Sequence, residues 1–268
     1  MTNKPFGLIG AGVMGSALLE GLLKHQVVQA DHVWAMDRAP ASRERMQATL
    51  GIETTGNFKP YLAGTQTLLL CVKPHQAVPL IRSLSEAGLP EKTLLISIAA
   101  GVRLEQLGTE APNNPIIRAM PNTPALVGEG MSVLCGNANT TDEHMRLAQS
   151  VFKAVGRCLV MEETYFDAIT GLSGSGPAYA YLMMEALADG GVRVGLPRDV
   201  AMTLVAQTML GSAKMVLQTG RHPAALRDDV TTPAGCTIAA LLSMEDGKIR
   251  SVLARAVEEA ATTAKGLG

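Results

Sequence analysis

Residues 5–20 read PFGLIGAGVMGSALLE, and this stretch decides the fold. Pro5–Ile9 is a short β-rich run that stops at glycine. Gly10-Ala11-Gly12-Val13-Met14-Gly15 has the spacing G-x-G-x-x-G, and Val13–Lys24 then carries Leu18, Leu19, Leu22 and Leu23 at helical intervals. A strand, a glycine turn and a helix in that order form the phosphate-holding corner of a dinucleotide-binding unit. Gly10 permits the tight turn, Gly12 lets the backbone approach a pyrophosphate, and Gly15 lets the helix pack closely on the strand. The helix N-terminus adds free N–H groups and partial positive charge. Lys4 followed by the apolar stretch to Leu23 superficially resembles a signal peptide, but its glycines and Glu20 fit the strand–turn–helix reading better.

Outward from this corner the alternation continues. His32–Met36 reads as a strand and Ala41–Leu50 as a charged helix. Thr67–Val72 (TLLLCV) and Thr93–Ile98 (TLLISI) are continuous apolar runs, as expected for strands of a parallel sheet buried on both faces. Pro115–Ala119, Met131–Cys135 and Cys158–Met161 are weaker strands, and Thr141 or Asp142 caps a helix through Ala154. The character changes near Glu162. Beyond it the period-two pattern vanishes and helices take over: Pro177–Val194, Pro197–Leu217, Thr237–Ser243 and Asp246–Lys265. The predicted architecture is α/β: a Rossmann-like doubly wound sheet over 1–161, then an all-α domain over 162–268.

Composition bounds the function. Apolar residues make up 47% and charged residues 18% of the 268, with 27 glycines besides. Typical domains carry about 45–50% apolar residues with glycine included and about 25% charged, so the chain has surplus apolar surface to bury. Disorder is excluded. A net charge of −1 and nine aromatics (Phe 4, Tyr 4, Trp 1) argue against a nucleic-acid partner, which needs a clustered basic face. No uninterrupted apolar run of membrane-spanning length occurs, so the default expectation is a cytoplasmic protein without a membrane partner. Cys71, Cys135, Cys158 and Cys236 form no CxxC pair, and the five histidines are isolated, so reduced thiols and no metal site are expected. The surplus concentrates late: Ala201–Ala213 has no charged residue, and a helix without a polar face must be covered on all sides. A small helical domain cannot hide several such helices, which implies subunit packing.

Further residues point at the same cleft. Asp37 follows Gly15 at the interval where an acidic group reaches the adenosine ribose, which favours NAD, while Arg38 beside it suits a 2′-phosphate, hence NADP. Cys71-Val72-Lys73-Pro74 leaves the Thr67–Val72 strand at its carboxyl end, where Lys73 can bond a ribose hydroxyl and Pro74 starts a helix. Ile98-Ala99-Ala100-Gly101 leaves the next strand likewise, and small residues such as Ala99 leave space for a flat nicotinamide ring.

A dehydrogenase acting on a hydroxy acid needs a Lys or His opposite the nicotinamide. After Glu162 the chain has only Lys214, Lys248, Lys265 and His222. None falls in Gly171–Val194, where the second domain begins, and His222 before Pro223 reads as a helix cap. The missing acid suits a substrate that arrives activated, such as a protonated imine. The polar string Asp228–Thr237 is a loop entering a helix. Thr231 or Thr232 can cap it, Pro233 suits the first turn, and Gly235 lets a ligand close on the backbone. Such a turn offers N–H groups to a carboxylate, with the Thr237 hydroxyl beside it.

Gly171–Tyr179 (GLSGSGPAY), Met120–Pro124 (MPNTP), Val72-Lys73-Pro74 and Leu226–Leu241 together resemble the pyrroline-5-carboxylate reductase family, in the correct order along the chain. The resemblance implies reduction of a cyclic imine, 1-pyrroline-5-carboxylate, to L-proline with NADPH, NADH being the alternative because of Asp37. It implies that Gly10–Gly15, Asp37, Arg38, Asn57, Val72, Lys73, Pro74 and Ala99 bind the cofactor. Val230, Thr232, Gly235, Cys236 and Thr237 would bind the substrate, with Thr237 at the imine nitrogen as the catalytic residue. It also implies homodimers through interleaved helical domains, and decamers as rings of dimers. Where the family pattern has Ser-Pro-Gly-Gly, this chain has Thr232-Pro233-Ala234-Gly235.

Overall fold

Phe6–Ile9 form β1, and all four residues are buried, because helices cover both faces of the strand. The computed structural model describes residues Lys4–Gly266. Around β1 lie β2 (Val33–Met36), β3 (Glu53–Thr55), β4 (Thr67–Leu70), β5 (Leu94–Ser97), β6 (Ile116–Met120), β7 (Gly130–Gly136) and β8 (Gly156–Val160). They make one sheet in the order β3-β2-β1-β4-β5-β6-β7-β8, parallel except for β6–β7. The order reverses direction at β1, with β2 on one side and β4 on the other, so a crevice opens beyond the carboxyl ends of these strands.

The helices of this part are α1 (Val13–Lys24), α2 (Pro40–Leu50), α3 (Pro74–Glu86), α4 (Leu104–Glu110), α5 (Asp142–Lys153) and the short α6 (Phe166–Ile169). Leu18, Leu19 and Leu22 of α1, Met46 of α2 and Val151 and Phe152 of α5 join one core cluster. Ala77, Ile81 and Leu84 of α3 and Leu107 of α4 join a second, with Trp34 stacked on Tyr61 at 4.9 Å. Each such buried leucine contributes roughly 1.5–3 kcal/mol. The Thr141 hydroxyl accepts from the His144 N–H and caps α5, as its sequence position predicts.

A third cluster joins Val133, Cys135 and Phe166. Above it lies Arg118 of β6, only 3% exposed. Its guanidinium donates to Glu163 Oε1 at 2.9 Å and sits 4.7 Å from the centre of the Phe166 ring. The same Glu163 oxygen accepts from Leu104 N at 2.7 Å, so one carboxylate ties the start of α4 to β6. Arg118→Met is expected to cost about 2 kcal/mol in chemical denaturation. That is less than the ~3–5 kcal/mol of a fully buried pair, because Glu163 keeps partial solvent access and its second partner. An unchanged midpoint would show that the pair contributes nothing.

Packing divides the chain into two units. One runs through Ser175 and takes in the chain from Glu259 onward; the other is Gly176–Glu258. The segment just after Glu162 stays bound to the sheet through Glu163 and Phe166, so packing within the first unit runs on to Ser175. Residues Thr170–Gly174 form a π-helical turn, closed by Ser175 N donating to Thr170 O at 2.8 Å.

The second unit contains α7 (Gly176–Arg193), α8 (Arg198–Thr219), α9 (Pro223–Asp229), α10 (Cys236–Asp246) and the first turns of α11 (Ile249–Lys265). α7 and α8 pack on each other where a Cβ on Gly191 would meet Ala201 Cβ at 3.0 Å, so small residues set the approach. Val205, Met209 and Val216 of α8 are half-buried, and most of the remaining helix is exposed. Leu204, Leu210, Met215 and Leu217 are all exposed, Leu217 at 55%. By length and composition alone α8 would also pass as a bilayer span.

Candidate active site

A cavity of about 630 Å³ opens in the first unit beyond the carboxyl ends of β1, β2 and β4. Gly10, Gly12, Asp37, Arg38, Val72 and Lys73, all expected from sequence, line it together. Gly10 turns at φ +104°, and a Cβ there would lie 2.3 Å from the Cys71 carbonyl oxygen. At Gly15 a Cβ would lie 2.1 Å from the Gly10 carbonyl oxygen. These two glycines therefore serve the protein's own packing. Gly12 differs: no protein atom lies within 4 Å of its would-be Cβ. It caps α1 with no side-chain bond, so the first N–H groups of α1 have no intrahelical acceptor. An open cradle over unpaired donors fits a pyrophosphate.

Asp37 Oδ2 accepts from Ala11 N and Oδ1 from Ala39 N, each at 2.8 Å. Lys73 is the N-cap of α3, with Pro74 as the first helical residue. Burial pushes the Cys71 thiol up, so this cavity-wall sulfur stays protonated at neutral pH.

Other expected residues stand apart from the wall. Ala11 is buried beneath the turn, Val13 is 68% exposed, and Met14 packs on the core. Ala99 is buried, with its N–H on Ser97 Oγ. Asn57 Oδ1 accepts from Lys59 N in a local turn, and it is the next residue, Phe58, that lines the cavity. The sequence reading missed His75, Gln76, Pro79, Leu80 and Ser83, which form the α3 wall. Their signal was the helix start at Pro74, which turns one face of α3 along the cleft.

In the second unit His222 Nδ1 accepts from Ala224 N and caps α9. Arg221 pairs with Asp229 at 2.6 Å and holds its carboxyl below the usual range. The cap of α10 is Gly235, not Thr231 or Thr232 as expected, because the Thr231 hydroxyl turns back to Arg227 O at 2.7 Å. The N–H groups of Cys236, Thr237 and Ile238 begin an eleven-residue helix that has no side-chain cap. A Cβ on Gly235 would lie 2.4 Å from the Thr232 hydroxyl oxygen and 3.1 Å from its carbonyl oxygen, so a larger residue here would make the Thr232 side chain turn away. Val230, just before the loop, is largely exposed.

Residues 163–267 match the model described as pyrroline-5-carboxylate reductase dimerisation. Residues 5–101 match one described as NADP oxidoreductase, coenzyme F420-dependent. The pyrroline-5-carboxylate reductase of Glycine max is 40% identical over 261 residues, covering 97% of this chain and 95% of that one. That of Methanosarcina acetivorans is 41% identical over 269 residues, covering 100% and 99%. The chain belongs to the pyrroline-5-carboxylate reductase family. The solved pyrroline-5-carboxylate reductase of Coxiella burnetii superposes with a TM-score of 0.92 at 31% identity, covering 99% of both chains. That of Plasmodium falciparum, with NADP bound, gives 0.88 at 30% identity, covering 100% and 99%.

In this chain's loop before α10, Ala234 has a measurable cost. Ala234 sits at φ +58°, a left-handed conformation that costs an L-residue about 1–2 kcal/mol relative to glycine. Ala234→Gly is expected to stabilise the protein by up to about 1 kcal/mol, after the entropy that glycine adds to the unfolded chain. A thermal melt checks the sign; destabilisation would mean the methyl makes a favourable contact.

Proposed function

We propose that this protein reduces 1-pyrroline-5-carboxylate to L-proline with NADPH, NADH serving as a weaker alternative, as the last step of proline biosynthesis. Full-length identity of about 40% to reductases of that name carries the reading. When bound, the nicotinamide supplies a hydride to the imine carbon. The chain's own work is to hold, orient and enclose. The Gly10–Gly15 turn, with the donors that open α1, holds the pyrophosphate. Asp37, Arg38 and Asn57 lie toward the adenosine, Val72, Lys73 and Pro74 toward the ribose, and Ala99 leaves room for the ring.

Val230, Thr232, Gly235, Cys236 and Thr237 form the substrate loop. The opening N–H groups of α10 hold the carboxylate, and the Thr237 hydroxyl orients the ring nitrogen. His222 caps a helix and takes no part as an acid. The imine therefore reacts as its protonated form, and rate enhancement comes from positioning and a preorganised field. Absorbance at the reduced-nicotinamide band with pyrroline-5-carboxylate added tests the reading, with L-proline as the product to be identified. No oxidation of either NADPH or NADH would overturn it.

The unit of function we propose is a homodimer, assembling further into a decamer. The exposed leucines and methionines of α8 support burial against another subunit. Gln207 and Lys214 within α8 argue against a bilayer, where such groups are costly. Four unpaired cysteines fit a reducing compartment, the cytoplasm.

A further inference from the structure

Residues 98–103 join β5 to α4 and lie beyond the carboxyl end of β5. The sheet sets β2, β1, β4 and β5 side by side, with neighbouring strands about 4.8 Å apart. A dinucleotide with its adenosine at the end of β2 and its pyrophosphate over β1 therefore runs past β4 toward this loop. The loop adjoins the cavity wall: Ile98 N donates to Leu70 O at 3.2 Å, just before Cys71 and Val72 of that wall. Its own residues are small. Ala99 and Ala100 bring one methyl each, and Gly101 turns at φ +77°.

Small residues clear a slot for a flat ring, but they give the loop little side chain with which to fix itself, and glycine adds backbone freedom. The fixing comes from its flanks. At the entry Ala99 N donates to Ser97 Oγ at 3.3 Å. At the exit Arg103 N donates to Gln106 Oε1 at 2.8 Å, a bond within the first turn of α4. The next N–H, that of Leu104, reaches Glu163 Oε1 at 2.7 Å, 59 residues along the chain. The same oxygen accepts from Arg118 Nη1 at 2.9 Å. Arg118 stands on β6 opposite Ser97, the residue that holds the loop's entry. Buried and set over Phe166, its guanidinium is a fixed post for Glu163. One pair of side chains thus fastens the loop's exit to the strand beside its entry.

Resting on the reading that Ala99 leaves room for the nicotinamide, we propose that Glu163 is a positioning residue for that ring. It holds the exit of the loop through the Leu104 N–H, so that Ala99, Ala100 and Gly101 keep the slot open, and Arg118 holds Glu163 in place. An acceptor oxygen at this point then matters more than its charge. Residue 163 opens the region matched as dimerisation, yet its side chain serves the dinucleotide-binding unit.

Titration with NADPH, read by calorimetry and by the emission of its reduced nicotinamide, tests this without turnover when set beside adenosine 2′,5′-bisphosphate, which lacks that ring. Bound to the wild-type protein, NADPH should emit more strongly than when free. Glu163→Met combined with Arg118→Met removes both charges together, so neither is left unpaired, and takes the acceptor from Leu104 N. NADPH affinity should fall about tenfold and the emission gain should vanish, with bisphosphate affinity held within about twofold. Glu163→Gln keeps an acceptor oxygen and should stay within about threefold of wild type for both ligands. Should the double variant not fold, Glu163→Asp, one methylene short of Leu104 N, carries the same test and should show the same selective loss. Unchanged NADPH binding and emission in the double variant overturns the proposal, as does an equal loss of both ligands. A loss in Glu163→Gln as large as in the double variant places the effect in the charge and overturns the tie through Leu104. NADPH that emits on the wild-type protein as it does when free removes the slot itself. Neither ligand needs the imine, so failure of the proline-forming assay would leave these results readable.

Discussion

Thr237→Ala should lower kcat/KM for pyrroline-5-carboxylate by one to three decades, about 1.4–4 kcal/mol of transition-state stabilisation. Thr237 is the second residue of α10, and the backbone donors around it survive the substitution. The carboxylate should therefore still bind, and the loss should fall mainly on kcat rather than KM. Thr237→Ser restores a hydroxyl at the same backbone position and should recover most of the rate. Steady-state kinetics on the three proteins decide the matter. An alanine variant with near-wild-type kinetics would remove Thr237 from the chemistry.

Gly10→Ala and Gly12→Ala should separate folding from binding within one turn. At Gly10 the new methyl meets backbone of Cys71, which no rotamer can relieve, and φ +104° is strained for any side chain. A loss of about 3 kcal/mol or more is expected in denaturant, with the cofactor site lost as a consequence. Gly12 lies at φ −70° with open space around it, so alanine there should leave stability within about 0.5 kcal/mol. Its methyl projects where the phosphates would approach, and NADPH affinity should fall about a hundredfold. Equal damage to stability by both substitutions would make Gly12 a packing residue like its neighbours.

The long apolar strands were legible because their period and burial are one fact: Thr67–Leu70 and Leu94–Ser97 are buried on both faces and read as unbroken apolar runs. β3 was invisible, since Glu53–Thr55 is short and polar, and its backbone pairing with β2 leaves no apolar period to read. α4 was missed because seven residues containing Gly108 carry too weak a period. Motif residues announced the cavity floor at Gly10, Gly12, Asp37 and Lys73, whereas its α3 wall is built from residues of no fixed type. The same limit hid a second tie of Asp37: its spacing suggests a ribose, and the bonds to Ala11 and Ala39 add a brace to the backbone that spacing alone does not announce.

The bare leucines of α8 make the second unit's folding a matter of mass action. A helix whose apolar surface is covered only by another copy has a stability that includes the free energy of association. Its melting temperature should then rise with protein concentration, and dilution alone should inactivate it before any denaturant does. Abundance in the cell thus becomes part of the enzyme's conformational stability: a chain made too sparsely would be lost through its exposed helix, with every residue of its active site intact.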